Sequence, residues 1–317
     1  MEAVCLEGNQ ICYEPKYELV PRDGMIPVSV LTAGICETDL QLKQGYMGFQ
    51  GVLGHEFVGI PQEGPLAGRR ITGEINCACG RCDFCRRDLP RHCTSRSVIG
   101  ILNHDGAFAD ILYVPQENFY AVPDELTTDR AVFTEPVAAA CRILEQVQID
   151  AKDRVVILGD GRLGNLCAQV LKTTGCSLCV VGKHQGKLDR LSALGIDTAL
   201  LTSFQPSSDA DYVVDCTGSP SGVELAIQTV RACGTIIQKT TVAGSQKLAM
   251  APFVIDEIQL LGSRCGPFAP ALEMLRTEQV LVDDLISARY ALSDADAAFQ
   301  HAEQGDALKV LFDIAAD

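Results

Sequence analysis

Four closely spaced cysteines constrain this chain more than any other feature of its sequence. Cys79, Cys82, Cys85 and Cys93 follow the spacing C-x2-C-x2-C-x7-C. Two intervening residues let a tight turn direct two thiolates at one ion, and the fourth cysteine completes a four-coordinate sulfur site. Because such a shell leaves no position for water, we expect a structural zinc ion in a lobe over residues 77–93 that stabilises the fold and does not catalyse.

The alternative interpretation of these cysteines is a disulfide cluster. The N-terminal residues do not resemble a signal peptide, and the remaining cysteines are scattered, mostly within apolar runs. We therefore expect a cytoplasmic protein in a reducing compartment. There the thiols serve as metal ligands and as small buried side chains.

Length and charge limit the classes of function. A chain of 317 residues exceeds the usual size of one domain, so two domains are expected. The net charge of −15 opposes nucleic acid or an anionic membrane as a partner, because phosphate binding depends on clustered Lys and Arg. No segment has the 18 or more consecutive apolar residues of a membrane span.

The pattern of hydrophobic residues changes once along the chain. The first 125 residues alternate short β-rich runs with turns, which predicts a small barrel of irregular strands at 27–31, 57–60, 70–75 and 108–114. A helix is then predicted at 131–147, followed by buried strands separated by helical stretches, at 154–158, 177–181, 212–216 and 235–238. This alternation is typical of a doubly wound parallel sheet and of the α/β class.

The chain ends with a predicted helix at 270–277 and a predicted strand at 307–314. The simplest organisation inserts the doubly wound domain, at 138–266, between two parts of the other domain, at 1–137 and 267–317.

A glycine-rich loop follows the first buried strand and precedes an apolar helix. It fits G-x-G-x-x-G in the strand, turn and helix context that the motif requires, with Gly159, Gly161, Arg162, Leu163 and Gly164. Glycines allow a tight turn and a close approach to a pyrophosphate, whose charge the helix N-terminus favours. The loop therefore predicts dinucleotide binding.

The end of the next strand bears on the choice of dinucleotide. NAD-selective folds usually carry an acidic residue there, about 20 residues after the glycines. This chain has Gly182, Lys183 and His184 instead, so cations could pair with a 2′-phosphate and NADP(H) is favoured over NAD(H). The alternative is that both side chains are simply solvated.

A second set of metal-ligand types flanks the cysteine lobe. Cys36 and His55 precede it, and Glu135 follows it. Cysteine, histidine and a carboxylate together can hold a catalytic zinc ion while leaving one position open. Each residue alone could equally be a core cysteine, a capped histidine or a charge at a helix N-terminus.

The order of these motifs resembles that of the zinc-dependent medium-chain alcohol dehydrogenases over nearly the whole chain. The motifs are G-I-C-x-T-D from Gly34, G-H-E from Gly54, the four cysteines and the glycine loop. The resemblance is to the sorbitol, threonine and glucose dehydrogenase branch. It implies a GroES-like β-barrel catalytic domain, a Rossmann cofactor domain and two zinc ions per chain.

The resemblance also assigns roles around the catalytic zinc. It implies that Cys36 and His55 are ligands and that Glu56 is a ligand or an exchanging near-ligand. Glu135 resembles the third-ligand carboxylate of that branch, and Thr38 matches the hydroxyl that hands on the substrate proton. In the cofactor domain it implies that Thr217 contacts the dinucleotide, and Lys309 matches a basic residue near the pyrophosphate.

The implied reaction is oxidation of an alcohol to a carbonyl, with zinc lowering the pKa of the alcohol and a nicotinamide accepting hydride. Where classical relatives complete the proton relay with histidine, this chain has Gln41, which does not take up a proton near neutral pH. The proton is then expected to leave through the ribose and water, or through Glu56.

The substrate and the assembly are predicted only by class. No Arg or Lys in the catalytic segment is clearly placed to bind an anionic substrate, which favours a neutral polyol, sugar or secondary alcohol. An edge strand at 258–262 predicts a homodimer, or a homotetramer built from dimers. Two rival functions are a catalytically silent binding protein of the same fold and a zinc-independent quinone or enone reductase. The presence of both ligand sets opposes each.

Overall fold

A computed structural model describes residues 1–241 and 247–315. The chain forms two compact units. The first is assembled from both ends of the chain, Met1–Glu135 and Phe268–Asp317, whereas the second is the continuous segment Pro136–Pro267.

Short strands dominate the first unit, and strands alternate with helices in the second. The strands are β1 (Ala3–Glu7), β2 (Gln10–Glu14), β3 (Met25–Gly34), β4 (Gly51–Val52), β5 (Glu56–Pro61), β6 (Ile71–Gly73), β7 (Asn76–Cys77), β8 (Ser97–Val98), β9 (Ile111–Pro115), β10 (Phe119–Ala121), β11 (Arg154–Leu158), β12 (Ser177–Gly182), β13 (Asp197–Leu200), β14 (Ala210–Asp215), β15 (Val230–Gln238), β16 (Gln259–Gly262), β17 (Ile286–Tyr290) and β18 (Lys309–Asp313). The helices are α1 (Glu37–Lys43), α2 (Asp83–Arg86), α3 (Thr128–Ala131), α4 (Thr134–Gln146), α5 (Arg162–Lys172), α6 (Gln185–Ala193), α7 (Gly222–Thr229), α8 (Ala251–Ile255), α9 (Phe268–Arg276) and α10 (Ala295–Ala302).

Strand β3 organises the first unit. Its ten residues pair along one edge with β9 and then with β18, and along the other edge with β5, all antiparallel. The sheet continues in the order β10-β6-β5-β3-β18-β17. Because β18 comes from the C-terminal part of the chain, the end of β3 is completed only by residues far away in sequence.

The second unit contains a six-stranded parallel sheet in the order β13-β12-β11-β14-β15-β16. Numbered within the sheet, this is the order 3-2-1-4-5-6 of a dinucleotide-binding doubly wound fold. The central strand β11 is buried from Val155 to Leu158, as its uninterrupted apolar run predicts for a strand covered on both faces. The predicted doubly wound sheet is confirmed.

The helix predicted at 131–147 is confirmed over α4, Thr134–Gln146, but its start differs, because the separate short helix α3 ends at Ala131. Proline lacks an N–H group and is tolerated in the first turn of a helix, so Pro136 favours a new start shortly before it. Thr134 begins α4, and its hydroxyl donates to the carbonyl of Ala131 at 2.6 Å. This break places Glu135 in a first helical turn.

Among residues 1–241 and 247–315, no helix has both the length and the apolar character needed to cross a bilayer.

Candidate active site and metal centres

Cys36 lies in the short turn between β3 and α1. The carboxylate of Asp39, in the first turn of α1, accepts a hydrogen bond from Cys36 N at 2.8 Å. This contact supplies an acceptor for a backbone donor that the start of a helix leaves unpaired. The turn that presents the Cys36 thiol is thereby fixed.

His55 stands just before β5, in a turn that requires glycine at position 54. Gly54 has φ of +94°, and a Cβ there would lie 2.3 Å from the ring of Phe108. Asp39 Oδ1 accepts from Gly54 N at 3.3 Å and lies 3.4 Å from His55 Nδ1. One fully buried carboxylate therefore ties the Cys36 turn to the His55 turn.

Sequence reasoning did not assign a role to Asp39. The signal was present, since the carboxylate stands three residues after the cysteine of G-I-C-x-T-D. A carboxylate beside one ring nitrogen fixes the orientation of a histidine and leaves the other nitrogen for a metal. Asp39 lies close enough to His55 Nδ1 to act in this way, although no hydrogen bond joins the two atoms in the described structure.

The electrostatic surroundings of His55 favour a cation. Burial alone would lower the pKa of the imidazole, but the Asp39 carboxylate and the Cys36 thiol raise it well above the usual value. The same two groups would stabilise a metal ion in place of the proton, once the ring is neutral and able to act as a ligand.

Glu56 completes a three-residue cluster of possible metal ligands. One ligand atom each from Cys36, His55 and Glu56 lies within 4.8 Å of the other two. Glu56 Oε1 is buried and has no hydrogen-bond partner among the residues that the structure describes. Since buried polar atoms are nearly always partnered, this oxygen fits a site that a metal ion would satisfy. Sulfur, nitrogen and oxygen donors together suit zinc.

Lys309 contacts this cluster, and its predicted place near the cofactor pyrophosphate stays a prediction. The side chain is 1% exposed, and its ammonium forms an ion pair with Glu56 Oε2. The ammonium also donates to Ile35 O at 3.3 Å and stands over the Phe133 ring, 5.6 Å from its centroid. A cation held in this way neutralises the charge of Glu56.

The backbone makes room for this ion pair at Gly34. The register of β3 places Gly34 opposite Glu56 of β5 and Leu311 of β18. A Cβ at position 34 would lie 2.6 Å from Glu56 Oε2 and 3.2 Å from Lys309 Cδ. The glycine of the G-I-C-x-T-D motif is therefore required by the packing of the ion pair.

Replacing Lys309 with methionine is expected to lower the free energy of unfolding by about 3–5 kcal/mol. The variant keeps the length of the side chain but leaves the Glu56 carboxylate buried without its cation. Urea titration followed by circular dichroism measures the change. Lys309→Met combined with Glu56→Gln should recover much of the loss, because no uncompensated charge remains.

Lys43→Met is the matched control. Lys43 pairs with Glu303 at 2.6 Å, but the two side chains are 29% and 43% exposed. Exposed pairs of this kind contribute about 0–1 kcal/mol. Equal losses of stability in the Lys309 and Lys43 variants would contradict the assigned role of Lys309.

Glu135 is buried next to the cluster without being part of it. Burial raises the pKa of its carboxyl to about 7, while the nearby His55 opposes this shift and Glu56 adds to it. The three-residue group contains Glu56 and not Glu135. In this structure Glu56 is therefore the carboxylate grouped with Cys36 and His55, and Glu135 is an adjacent group that is easily protonated.

Thr38 lies beside the cluster, in the first turn of α1. Its Oγ1 is 3.7 Å from Cys36 Sγ, and the residue is half-buried. Gln41, one turn later, donates from Nε2 to Glu37 Oε1 at 3.2 Å. The hydroxyl is thus close to the cluster, whereas the amide of Gln41 is bonded within its own helix.

The predicted cysteine lobe brings its four sulfurs together. Ligand atoms of Cys79, Cys82, Cys85 and Cys93 all lie within 4.8 Å of one another. The sulfurs of Cys82 and Cys85 are 3.5 Å apart. Zinc–sulfur bonds of about 2.3 Å in a tetrahedron imply sulfur–sulfur distances of about 3.8 Å. The arrangement fits a closed zinc site.

The lobe also shows why its thiols need a cation. Backbone N–H groups of Cys85 and Thr94 lower the pKa of the Cys82 thiol to about 6. Burial and the neighbouring sulfurs of Cys82 and Cys93 raise the pKa of Cys85 to about 11. Four thiolates at these distances repel one another, and a bound zinc ion removes that cost.

Replacing Cys93 with serine is expected to lower the melting temperature by about 5 °C or more, because the binding free energy of a structural zinc ion is part of the folding free energy. Differential scanning calorimetry and zinc analysis measure the effect. Cys233→Ser is the matched control, since Cys233 is an exposed thiol outside both clusters. A Cys93 variant as stable as the control would exclude a structural site.

The glycine loop between β11 and α5 has the shape of a phosphate cradle. Gly159 has φ of +114°, and a Cβ there would lie 2.5 Å from Cys216 O. A Cβ on Gly164 would lie 2.0 Å from Gly159 O, so α5 packs closely on the loop. A Cβ on Gly161 meets no atom within 4 Å, and this open space before Arg162 and Leu163 is where a pyrophosphate fits.

The other residues predicted to bind the dinucleotide are Thr217, Lys183 and His184, and their contacts differ. Thr217, just after β14, donates from N and Oγ1 to Asp215 Oδ1 at 2.9 and 2.8 Å. Lys183 is exposed, whereas His184 contacts the carboxylate of Asp160. Sequence reasoning missed Asp160, because a residue inside the glycine motif gave no signal that its side chain reaches the neighbouring strand.

Comparison with known proteins finds a matching family for each of the two units. Residues 22–124 match the family described as alcohol dehydrogenase GroES-like domain, and residues 163–277 match the zinc-binding dehydrogenase family. The chain is 28% identical over 323 aligned positions to a sorbitol dehydrogenase of Halalkalibacterium halodurans, covering 94% of each chain. It is 26% identical to a D-arabitol-phosphate dehydrogenase of Enterococcus avium, covering 92% of this chain and 90% of the relative.

A solved structure agrees over the same length. It is described as a zinc-binding dehydrogenase of Sinorhizobium meliloti 1021 bound to NADP, and it superposes with a TM-score of 0.88 at 26% identity. The match covers 98% of both chains. The GroES-like and Rossmann folds expected from the sequence are confirmed.

Proposed function

Because this chain belongs to the zinc-dependent medium-chain alcohol dehydrogenase family, we propose that it interconverts a neutral polyol and the corresponding keto sugar with a nicotinamide dinucleotide. The observation that carries the proposal is the cluster of half-buried Cys36 with buried His55 and Glu56, in which one Glu56 oxygen has no partner among the described residues. A closed structural site has no need of such an open set of mixed donors.

The substrate class is supported by the relatives and by charge. The matched proteins are named for sorbitol and D-arabitol phosphate, both chains of hydroxylated carbons. Lys43 is the only Lys or Arg between positions 36 and 55, and it pairs with Glu303 at 2.6 Å. A cation already engaged in this way favours a neutral polyol over a phosphorylated one.

The chain's own residues would bind the substrate and handle its proton. Cys36, His55 and Glu56 would hold a zinc ion, and the chemistry it would supply is that of a Lewis acid, which lowers the pKa of an alcohol or polarises a carbonyl. Thr38 Oγ1, 3.7 Å from Cys36 Sγ, would relay the alcohol proton, accepting it while it passes its own hydroxyl proton on towards the ribose and water; the reverse reaction uses the same path. Asp39 holds the orientation of His55, and Lys309 keeps the charge of Glu56 compensated.

Two zinc ions per chain are expected, one in the closed lobe and one in the mixed cluster. Elemental analysis of protein expressed in zinc-replete medium should give a value close to two. A reproducible value near one would show that one of the two sites does not bind zinc.

A screen of polyols, sugars and secondary alcohols with NAD⁺ and with NADP⁺ tests the activity. The absorbance of the reduced nicotinamide reports turnover, and oxidation of a neutral polyol well above background is the expected result. Polyol phosphates and simple secondary alcohols are the comparison substrates. Dinucleotide binding without turnover of any alcohol would favour a catalytically silent relative and overturn the proposal.

Pairing of two copies through β16 is also part of the proposal. This strand lies at the end of the parallel sheet, and Leu260 on it is 47% exposed. An exposed sheet edge with apolar side chains can pair with its own copy across a two-fold axis. Light scattering should give twice the mass of the chain, or four times that mass if the dimers associate.

The choice between NAD(H) and NADP(H) depends on the positive charge of Lys183 and the negative charge of Asp160. The predicted preference for NADP(H) was based on Lys183 and His184. Because the structure pairs His184 with the carboxylate of Asp160, that preference now depends on the exposed Lys183 alone.

A further inference from the structure

Asp160 occupies the space that the glycine at the end of β12 leaves open. A Cβ built on Gly182 would lie 2.4 Å from Asp160 Cβ and 2.5 Å from Asp160 Oδ2. Asp160 is only 6% exposed, so its position is fixed by packing. The side chain reaches from the loop after β11 to the end of the adjacent strand.

The hydrogen bonds of Asp160 hold its carboxylate at this strand end. His184 N, two residues beyond Gly182, donates to Asp160 Oδ2 at 2.6 Å. His184 Nδ1 lies 3.2 Å from both carboxylate oxygens. An aspartate at position 182 could make the same bond to the backbone two residues on, as Asx turns do.

The end of the second strand is where doubly wound folds place the acidic residue that binds the ribose 2′-hydroxyl. This chain supplies no acidic side chain from β12 itself, but the structure brings one there from the glycine loop. A carboxylate has about four acceptor positions, so the bonds from His184 leave room for further donors.

We propose that Asp160 makes this chain select NAD(H) over NADP(H). Its carboxylate accepts hydrogen bonds from the adenosine ribose hydroxyls and repels a 2′-phosphate. Water screens the exposed charge of Lys183 much more than the nearly buried charge of Asp160, so the carboxylate outweighs the lysine. The inference rests on the proposed function, because it assumes that the glycine loop binds a nicotinamide dinucleotide.

Equilibrium binding of NADH and NADPH to the purified protein tests the proposal without any turnover. Calorimetric titration at one salt concentration should show that the wild type binds NADH at least about tenfold more tightly than NADPH. Asp160→Asn keeps the shape of the side chain and removes its charge. This variant should weaken NADH binding about ten- to hundredfold, the range for a lost hydrogen bond to a charged group. NADPH binding should not weaken.

Asp189→Asn is the matched control, because it removes one exposed negative charge from α6, the helix that follows His184. It should leave the ratio of the two affinities unchanged. This comparison separates the specific contact of Asp160 from the general effect of net charge.

A transfer of the carboxylate provides an independent test. Asp160→Gly should lose the preference for NADH, and the double variant Asp160→Gly with Gly182→Asp should regain it. The double variant is possible because removal of the Asp160 side chain opens the space that a Cβ at position 182 needs. Recovery would show that the position of the carboxylate matters and not the stability of the loop.

Three outcomes would overturn the inference. One is tighter binding of NADPH than of NADH by the wild type, and another is an unchanged affinity ratio in Asp160→Asn. In both cases the proposed dehydrogenase function stands. If the wild type binds neither dinucleotide, the proposed function fails together with the inference.

Discussion

Replacing Cys36 with serine is expected to reduce kcat by about a thousandfold or more while the protein remains folded. Serine removes the sulfur from the cluster with His55 and Glu56, and catalytic zinc contributes several kcal/mol of transition-state stabilisation. Turnover of the polyol found in the screen measures the loss. The zinc content should fall from about two per chain to about one.

Cys12→Ser serves as the control, since Cys12 is a half-buried thiol of β2 in the same unit. Its turnover and zinc content should match those of the wild type. A Cys36 variant that retains both zinc ions and turns over within about tenfold of the wild type would remove Cys36 from the catalytic site.

Replacing Thr38 with valine is expected to reduce kcat by about 10²- to 10⁴-fold, the range for a lost acid–base contact. Valine keeps the branched shape but has no hydroxyl at the position 3.7 Å from Cys36 Sγ. Zinc content and dinucleotide affinity should not change. The loss would therefore appear in kcat and not in the assembly of the site.

Gln41→Ala tests whether the side chain of Gln41 takes part in the same proton path. Gln41 bonds to Glu37 within α1, so its loss should change kcat by less than about threefold. Gln41→His should raise the rate near neutral pH if the proton leaves along this helix. A Gln41→Ala loss as large as that of Thr38→Val would show that the amide has an essential positioning role.

The parallel sheet was predictable because its signals are local. β11 is a run of apolar residues that continues directly into a glycine motif, and β12 and β14 repeat this apolar character. The closeness of Cys36 and His55 was also predictable, since both stand in short motifs that fix the backbone around them. Asp39 and Gly54 show the physical reason for those motifs.

Contacts that depend on register or on side-chain direction were not predictable. The ion pair of Lys309 and Glu56 joins residues 253 positions apart, and it forms only because β18, β3 and β5 lie side by side. Likewise, the residue order shows that position 182 has no carboxylate, but not that Asp160 fills the gap. In both cases the deciding interaction crosses between strands.

Because β18 comes late in the chain, its position affects the order in which parts of the protein can fold during synthesis. The parallel-sheet unit is one continuous segment, so all of its residues leave the ribosome before β18 does. Until then the end of β3 lacks the strand that pairs with Thr32, Ala33 and Gly34, and Glu56 lacks the cation of Lys309. During synthesis the continuous parallel-sheet unit can therefore fold first, and the surroundings of the Cys36, His55 and Glu56 cluster are completed only after β18 has left the ribosome.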